Sequence, residues 1–231
     1  MKNNLKIFIQ ARIDSKRLPG KIFFTFFNEL IIDRIIRIAK EISANKNIYL
    51  LTGNYKNNFY LKKIANKNKI NFYCGSENNV LKRFCDLIVK KKFLDSTILR
   101  ITADNYLVQP KLVKLMINDF FKLNVEYSYV DPLSHYAGEL FKAKNLIKNF
   151  RNKYSKMAKE HVTWDLRNKT EIKKKIYNNN FFKVLHKNSI TLDTIADLKK
   201  LKWIELNYPR TKKLNCLEDI KNIQNNIQLY K

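Results

Sequence analysis

Short apolar runs alternate with segments of helical periodicity from the start of the chain to Val130. The apolar runs predict buried strands, because each is short and carries few charges, and they lie at 5–10, 47–52, 69–73, 96–101 and 125–130. Between them, apolar residues recur every three or four positions, which predicts amphipathic helices at 29–43, 59–66, 80–91 and 110–123. This alternation predicts an α/β fold in which a mainly parallel sheet is covered by helices on both faces.

The regular pattern loosens after Asp131. Beyond it we expect one more strand, at 189–193, and helices at 154–168, 195–206 and 216–230. The sequence shows no internal repeat and no clear break between domains, and 231 residues suit one α/β domain. We therefore expect residues 1–231 to form a single domain.

The chain is strongly basic, with 46 Lys and Arg residues against 20 Asp and Glu residues and a net charge of +26. Such a charge is typical of proteins that bind polyanions. Here the cations are scattered over nearly every segment, alongside abundant Asn and Ile, as an AT-rich coding bias produces. No nucleic-acid-binding motif accompanies them, so we expect no specific nucleic-acid partner.

Cysteine usage and the N-terminus both indicate the interior of a cell. The three cysteines, Cys74, Cys85 and Cys216, form no Cys-x-x-Cys pair, so neither a disulfide framework nor a zinc site is predicted. The sequence shows no signal-peptide pattern and no 18-residue apolar stretch. We expect a cytoplasmic protein with no membrane partner.

A basic loop follows the first predicted strand. It carries Arg12, Lys16, Arg17 and Lys21 around a Pro19-Gly20 turn that fixes the loop. Arginine binds phosphate oxygens in pairs and lysine binds them as a point charge, so these cations suit a triphosphate. The loop has neither the Walker spacing nor a Gly-x-Gly-x-x-Gly fingerprint. Charge alone leaves phosphate binding and a merely solvated basic loop both open.

The order of strands and helices places three separate loops at one edge of the sheet. Right-handed crossovers bring the loops 11–21, 52–57 and 102–109 to the carboxyl edge, where open α/β sheets bind ligands. Asp104 follows one buried strand, and Asp193 ends the strand predicted at 189–193. On the residues alone, Asp104 is more often a turn former or helix cap than a ligand, and Asp193 is explained as a helix cap.

Residues 10–21, read as Gln-Ala-Arg-x-x-Ser-Lys-Arg-Leu-Pro-Gly-Lys, closely resemble the nucleotide-binding loop of the CMP-sugar synthetases. These are cytidylyltransferases acting on acylneuraminate and Kdo, and the chain is most similar to the branch of spore-coat polysaccharide biosynthesis protein F. Asp14 stands where that branch usually has a small residue. The resemblance implies a three-layer α/β/α nucleotide-diphospho-sugar transferase fold with a mainly parallel mixed sheet. It also implies transfer of CMP from CTP to a sugar or sugar-acid acceptor in glycan biosynthesis, with release of pyrophosphate.

The same resemblance implies the residues of the nucleotide and metal sites. Asp104, in the segment Arg-Ile-Thr-Ala-Asp, and Asp193, in Leu-Asp-Thr, match the family's magnesium ligands. Two carboxylates with phosphate oxygens and water make a set that Mg²⁺ accepts. The expected catalytic cations are Arg12, Arg17 and Lys21, and the expected nucleotide contacts are Ala11, Arg12, Ser15, Lys16, Arg17, Lys21, Thr52, Asn54, Ser76 and Thr102.

The acceptor side is expected in a less regular segment at about 131–188, which faces the acceptor or a second copy in a homodimer. Glu139, in Gly-Glu-Leu-Phe, and Glu160 with His161, in Glu-His-Val-Thr, resemble the family's acceptor-facing residues. The sequence does not determine the identity of the acceptor. Two further functions also stay open: a glycosyltransferase of the same fold, although the chain lacks its Asp-x-Asp motif near Asp104, and a non-enzymatic polyanion-binding protein.

Overall fold

The computed structural model describes residues 4–131, 134–178, 190–208 and 217–227. Within these ranges the strands are β1 (Leu5–Gln10), β2 (Thr25–Phe26), β3 (Glu29–Leu30), β4 (Ile48–Thr52), β5 (Asn71–Cys74), β6 (Thr97–Thr102), β7 (Tyr127–Val130), β8 (Glu139–Lys142) and β9 (Lys174–Tyr177). The helices are α1 (Ile31–Ile42), α2 (Tyr55–Lys67), α3 (Val80–Lys90), α4 (Pro110–Lys122), α5 (Ala143–Arg151), α6 (Trp164–Asn168), α7 (Ile195–Asn207) and α8 (Leu217–Asn226). Single 3₁₀ turns lie at Lys21–Phe23, Asn45–Asn47, Ser134–Tyr136 and Met157–Lys159.

Seven strands form one sheet in the order β5-β4-β1-β6-β8-β7-β9. The neighbours from β5 to β6 are parallel, β8 is antiparallel to both β6 and β7, and β9 is parallel to β7. This is the mainly parallel mixed sheet that the sequence predicted, and the expected α/β fold class is confirmed. A separate β2–β3 hairpin lies beside the start of α1.

The sheet is apolar on both faces because alternate side chains of its strands enter two different cores. In β1, Ile7 and Ile9 belong to the core that contains residues of α1, α4 and α7, whereas Phe8 belongs to the core built with α3, α5 and α6. All three β1 side chains are completely buried. Burial on both faces is typical of parallel sheets and explains the nearly continuous apolar runs in these strands.

The register of the central strands places the predicted loops side by side. Gln10 at the end of β1 pairs with Leu51 in β4 and with Thr102 at the end of β6. The segments that follow β1, β4 and β6 therefore leave the sheet at the same level, as expected for a ligand crevice at the carboxyl edge.

Two elements predicted in the second half of the chain differ in the structure. Instead of one helix at 154–168, the chain forms a 3₁₀ turn and the short helix α6, because Asp165 accepts hydrogen bonds from the backbone and hydroxyl of Ser155 at 3.0 and 2.5 Å. The strand predicted at 189–193 is also wrong over residues 190–193, which are irregular. Residue 189 lies outside the described ranges. The buried side chains of Ile190 and Leu192 explain the apolar signal there.

The segment 131–188 supplies three regular elements that the sequence pattern did not predict: β8, α5 and β9. Two of them are strands of the main sheet, so this part of the chain is built into the fold next to β6 and β7. None of the helices in the described ranges is both long and apolar enough to cross a bilayer.

Candidate active site

The loop between β1 and the first 3₁₀ turn buries one of its cations and exposes the others. Gly20 takes a left-handed backbone conformation (φ 66°), which suits glycine, and its N–H donates to the carbonyl of Ile13 at 2.8 Å. The turn directs Lys21 inward, where only 7% of its side chain is exposed. Arg12, Lys16 and Arg17 lie on the exposed side of the same loop.

The ammonium group of Lys21 lies between two carboxylates that are far apart in sequence. It donates hydrogen bonds to Asp104, which follows β6, and to Oδ1 of Asp193 at 2.6 Å. The guanidinium of Arg17 approaches Oδ2 of Asp193 at 3.3 Å, although 66% of its side chain is exposed. A backbone hydrogen bond from Leu192 to the carbonyl of Asp104, at 3.3 Å, joins the two acidic segments. We call Arg17, Lys21, Asp104 and Asp193 the ion cluster.

Asp193 is free to join the ion cluster because its neighbour caps the helix. Thr194 is the N-cap of α7 and accepts from the backbone of Asp197, whose carboxylate in turn accepts from the Thr194 backbone at 2.9 Å. This capping box leaves the Asp193 carboxylate facing Lys21. Burial alone raises the pKa of Asp193, but the hydrogen bond from Lys21 and the charges of Lys21 and Arg17 outweigh it and hold the pKa below its usual value.

The segment after β4 is tied to the basic loop by a residue that the sequence analysis missed. Asn58 is completely buried in α2, where its backbone departs from helical geometry. Its side-chain oxygen accepts from the N–H of Ile13 at 2.9 Å, and its amide donates to the carbonyl of Asn54 at 2.8 Å. Asn58 lies just before the helix predicted at 59–66, so the sequence pattern gave no signal that it would be buried.

Asn54 and Thr52, both expected to contact nucleotide, lie at this edge. The Asn54 side chain caps α2 by accepting from the backbone of Lys56 at 2.8 Å, while its own N–H donates to the Glu77 carboxylate. Thr52 is buried, and its hydroxyl has no hydrogen-bond partner within the described part of the chain. The same is true of the buried Oδ1 of Asp14 in the basic loop. Unpartnered polar atoms beside the crevice fit a site that receives a polar ligand.

The remaining expected nucleotide contacts line the same edge. Ser76 has its carbonyl bound by the buried guanidinium of Arg83, at 3.0 and 2.7 Å, which fixes the segment before α3. Ala11 is held by its N–H donating to Leu51 at 2.9 Å. Thr102 ends β6 opposite Gln10, and Ser15 is buried within the basic loop.

Glu139, which the resemblance placed on the acceptor side, is the centre of a buried network. It is 2% exposed, and its carboxylate accepts from Arg100 at 2.5 Å, from Arg167 at 2.6 Å and from the hydroxyl of Tyr127 at 2.9 Å. Burial works to raise the pKa of Glu139, but the two arginines lower it to about 2. The guanidinium of Arg100 also donates to the side-chain oxygen of Gln10 at 3.0 and 3.1 Å.

Glu160 and His161 are both exposed and lie just after the 3₁₀ turn at Met157–Lys159. Neither side chain makes a hydrogen bond or ion pair with another described residue, and the His161 ring lies 6.2 Å from that of Trp164. The structure therefore leaves them available to a ligand but does not join them to the ion cluster.

The carboxylates of the ion cluster fit a hard divalent cation. Asp104 and Asp193 offer oxygen atoms, which Mg²⁺ prefers, and Mg²⁺ usually takes its other ligands from water and substrate phosphates. Among the described residues, no group of three or more His, Cys, Asp or Glu side chains is placed to hold a metal. Two carboxylates match the limited protein coordination that is usual for this ion.

Comparison with known proteins assigns the chain to a family. The cytidylyltransferase family model matches residues 7–230. The spore coat polysaccharide biosynthesis protein SpsF of Bacillus subtilis is 32% identical over 173 residues, which cover 72% of this chain and 71% of that protein. The chain therefore belongs to the cytidylyltransferase family and is a CTP-dependent nucleotidyltransferase.

Solved structures agree with the fold. A cytidylyltransferase from Leptospira borgpetersenii serovar Hardjo-bovis superposes with a TM-score of 0.76 at 24% identity, covering 96% of this chain and 97% of the other. The structure of CMP:2-keto-3-deoxy-manno-octonic acid synthetase in complex with CTP has a TM-score of 0.62 at 12% identity, covering 88% and 99%. The expected nucleotide-diphospho-sugar transferase fold is confirmed.

Proposed function

We propose that this enzyme transfers CMP from CTP to a sugar or sugar-acid acceptor in polysaccharide biosynthesis, with Mg²⁺ as its cofactor. The observation that carries the proposal is the ion cluster, in which Lys21 lies between Asp104 and Asp193 at the carboxyl edge of the sheet. The similarity to a spore coat polysaccharide biosynthesis protein supports the pathway class. The similarity to a synthetase solved with CTP supports a sugar-acid acceptor.

The reaction is a displacement at the α-phosphorus of CTP. An acceptor hydroxyl oxygen forms the new bond to this phosphorus and releases its proton to solvent. The bond between the α-phosphorus and the oxygen that bridges to the β-phosphorus breaks, and pyrophosphate leaves with that electron pair. Arg12 and Arg17, exposed on the basic loop, bind and orient the triphosphate, and Lys21 neutralises charge on it. Positioning and charge stabilisation supply most of the rate in such transfers.

Asp104 and Asp193 hold the magnesium ion. When bound, the ion neutralises charge on the phosphate oxygens and on the leaving pyrophosphate. Lys21 contacts both carboxylates and Arg17 contacts Asp193, so anionic and cationic groups lie together at the proposed phosphate-binding edge. This arrangement suits a substrate that arrives as a metal–triphosphate complex.

The nucleotide is held by the remaining residues of the edge. In this proposal the segment around Ala11, Ser15 and Lys16 carries the phosphates, and Thr52, Asn54, Ser76 and Thr102 line the nucleoside pocket. The unpartnered hydroxyl of Thr52 supports this assignment, because a buried polar atom gains a partner when ligand binds.

On the acceptor side, Glu160 and His161 remain the proposed contacts because both are exposed. Glu139 acts indirectly, by holding Arg100 against Gln10 at the end of β1. The expected acceptor-facing role of residues 131–188, the single domain, the homodimer and the cytoplasmic location remain predictions. Analytical ultracentrifugation of the purified protein tests the dimer.

Pyrophosphate release in the presence of CTP and Mg²⁺ tests the proposed reaction. The acceptor panel contains a nonulosonic acid, Kdo, neutral sugars and a phosphonate, each with wild type and with Asp104→Asn. We expect release with a sugar or sugar acid, and a large loss of turnover in Asp104→Asn. Release with the phosphonate alone contradicts the proposed acceptor class, and normal turnover by Asp104→Asn contradicts the metal site.

A further inference from the structure

The ion cluster already contains a cation supplied by the chain itself. The Lys21 ammonium donates to both Asp104 and Asp193, and its side chain is 7% exposed. Lysine is rarely buried without partners, and here both partners are the proposed metal ligands. A metal ion held by the two carboxylates must take the position that this ammonium group now occupies.

The charge balance of the ion cluster disfavours a free metal ion. The ion cluster contains two cations and two anions, so its net charge is zero. A lone divalent cation therefore meets no net negative charge, and it must also break the two Lys21 ion pairs. A metal–triphosphate complex is different, because its phosphate oxygens offer Lys21 a new anionic partner as the metal takes the carboxylates.

We propose that Lys21 makes the metal site specific for the metal–nucleotide complex over the free ion. Before the complex binds, Lys21 is paired with both carboxylates. On binding, the metal displaces its ammonium group, which moves to the phosphates of CTP. Lys21 thus determines the form in which the substrate binds, in addition to any contact it makes with phosphate. This inference rests on the proposed metal site.

Binding of Mn²⁺, a paramagnetic substitute for Mg²⁺, tests the proposal without any turnover. The free Mn²⁺ signal is titrated by electron paramagnetic resonance with wild type and with Lys21→Met, without nucleotide. Removing the internal cation leaves a net negative site, so we expect Lys21→Met to bind free Mn²⁺ about tenfold more tightly than wild type. Equal affinities in the two proteins overturn the proposal.

Lys16→Met is the matched control, because it removes the same charge from the exposed part of the same loop. It tests whether loss of any nearby positive charge produces the effect. Its free Mn²⁺ affinity should stay close to that of wild type. If Lys16→Met and Lys21→Met tighten Mn²⁺ binding equally, the effect is general electrostatics and the proposal fails.

Wild type provides a test that does not depend on the folding of a variant. With the Mn²⁺ bound by CTP itself subtracted, wild type should bind Mn²⁺ weakly alone and much more tightly with CTP. Equally tight binding with and without CTP overturns the displacement of Lys21.

A separate measurement, on the variant Asp104→Asn, tests the proposed metal site itself. In the presence of CTP, Asp104→Asn should lose the Mn²⁺ binding that wild type shows. If it binds Mn²⁺ as wild type does, the proposed metal site is wrong. If it loses binding while Lys21→Met leaves the free-ion affinity unchanged, the metal site stands and only the role of Lys21 fails.

Discussion

Lys21 and Arg17 lie in the same basic loop but in different surroundings. Lys21 is enclosed between two carboxylates, whereas Arg17 reaches Asp193 from a largely exposed position. Exposed ion pairs are screened by solvent and contribute little to stability, so the Arg17–Asp193 contact does not explain the fold. We expect Arg17 instead to bind an anionic ligand, because an exposed guanidinium can donate two parallel hydrogen bonds to it.

Arg17→Met should therefore weaken CTP binding while leaving stability nearly unchanged. Loss of one charge-assisted contact predicts an affinity about tenfold lower, the lower end of the range for such contacts because the side chain is exposed. Isothermal titration calorimetry with CTP and Mg²⁺ measures the change, with Lys111→Met on the exposed surface of α4 as control. Unchanged affinity in Arg17→Met removes it from the nucleotide site.

Glu139, in contrast to Arg17, contributes to the stability of the fold. Its folded-state pKa of about 2 lies below the ordinary value of 4.5, so its ionised form stabilises the fold above about pH 4.5. That stabilisation declines as the pH falls from 4.5 towards 2 and the carboxylate takes up a proton.

Glu139→Gln should lower the free energy of unfolding at pH 7 by about 3–5 kcal/mol, because it leaves two arginines without their buried partner. The deficit relative to wild type should shrink as the pH falls towards 2, where wild type is also protonated. Urea unfolding across this pH range measures both, with the exposed Glu171→Gln as control. A deficit that does not depend on pH contradicts the ionised, arginine-paired Glu139.

At the scale of elements, helix α7 is positioned so that the residue before its cap enters the ion cluster. Thr194 and Asp197 form a capping box at the helix start, and the side chain of Asp193 takes no part in it. The local sequence Asp-Thr-Ile-Ala-Asp therefore codes both for the helix start and for the side chain that meets Lys21. Stability and ligand binding are linked at this helix end.

Thr194→Ala removes the cap and should lower the free energy of unfolding by about 1 kcal/mol. Because the cap also fixes the backbone of Asp193, CTP binding with Mg²⁺ should weaken as well. Thr194→Ser keeps the capping oxygen, so its free energy of unfolding and its CTP affinity should both be close to those of wild type. Chemical unfolding and CTP titration of the two variants test the link, and full CTP affinity in Thr194→Ala contradicts it.

The sequence predicted the elements whose signals are local and missed those that tertiary contacts define. The strands β1, β4 and β6 are apolar and short, so periodicity identified them. Helix α5 carries apolar residues at 143, 146, 147 and 150, a helical spacing that was present but not used. Strand β8 begins with Glu139, and only the two arginines that surround this charge make it compatible with a buried strand.

At the scale of the molecule, the site follows from the order of strands more than from any single motif. Parallel pairing of β4, β1 and β6 brings the segments after them to one edge, which sequence alternation predicted. The family resemblance named Lys21, Asp104 and Asp193 as site residues, but the direct contact of Lys21 with both aspartates, 83 and 172 residues away, was not predicted. The burial of Glu139 could not be predicted, because it depends on side chains from two other strands and a helix.

The net charge of +26 does not by itself define a function. In the ion cluster two cations are matched by two carboxylates, and the two arginines beside Glu139 are both paired with its carboxylate. A protein that bound polyanions by charge alone would not pair its cations in this way at the proposed binding edge. Selectivity for CTP therefore distinguishes the proposed enzyme from a protein that binds polyanions by charge alone.

The most direct test is thermal stabilisation of the purified protein by CTP, compared with UTP, ATP and GTP, with Mg²⁺ at moderate salt. At 100 times its dissociation constant, CTP should add about 2.7 kcal/mol, which raises Tm by about 5–10 °C. A shift that is selective for CTP and requires Mg²⁺ is the predicted result. Equal shifts from all four nucleotides, or none from CTP, contradict the account.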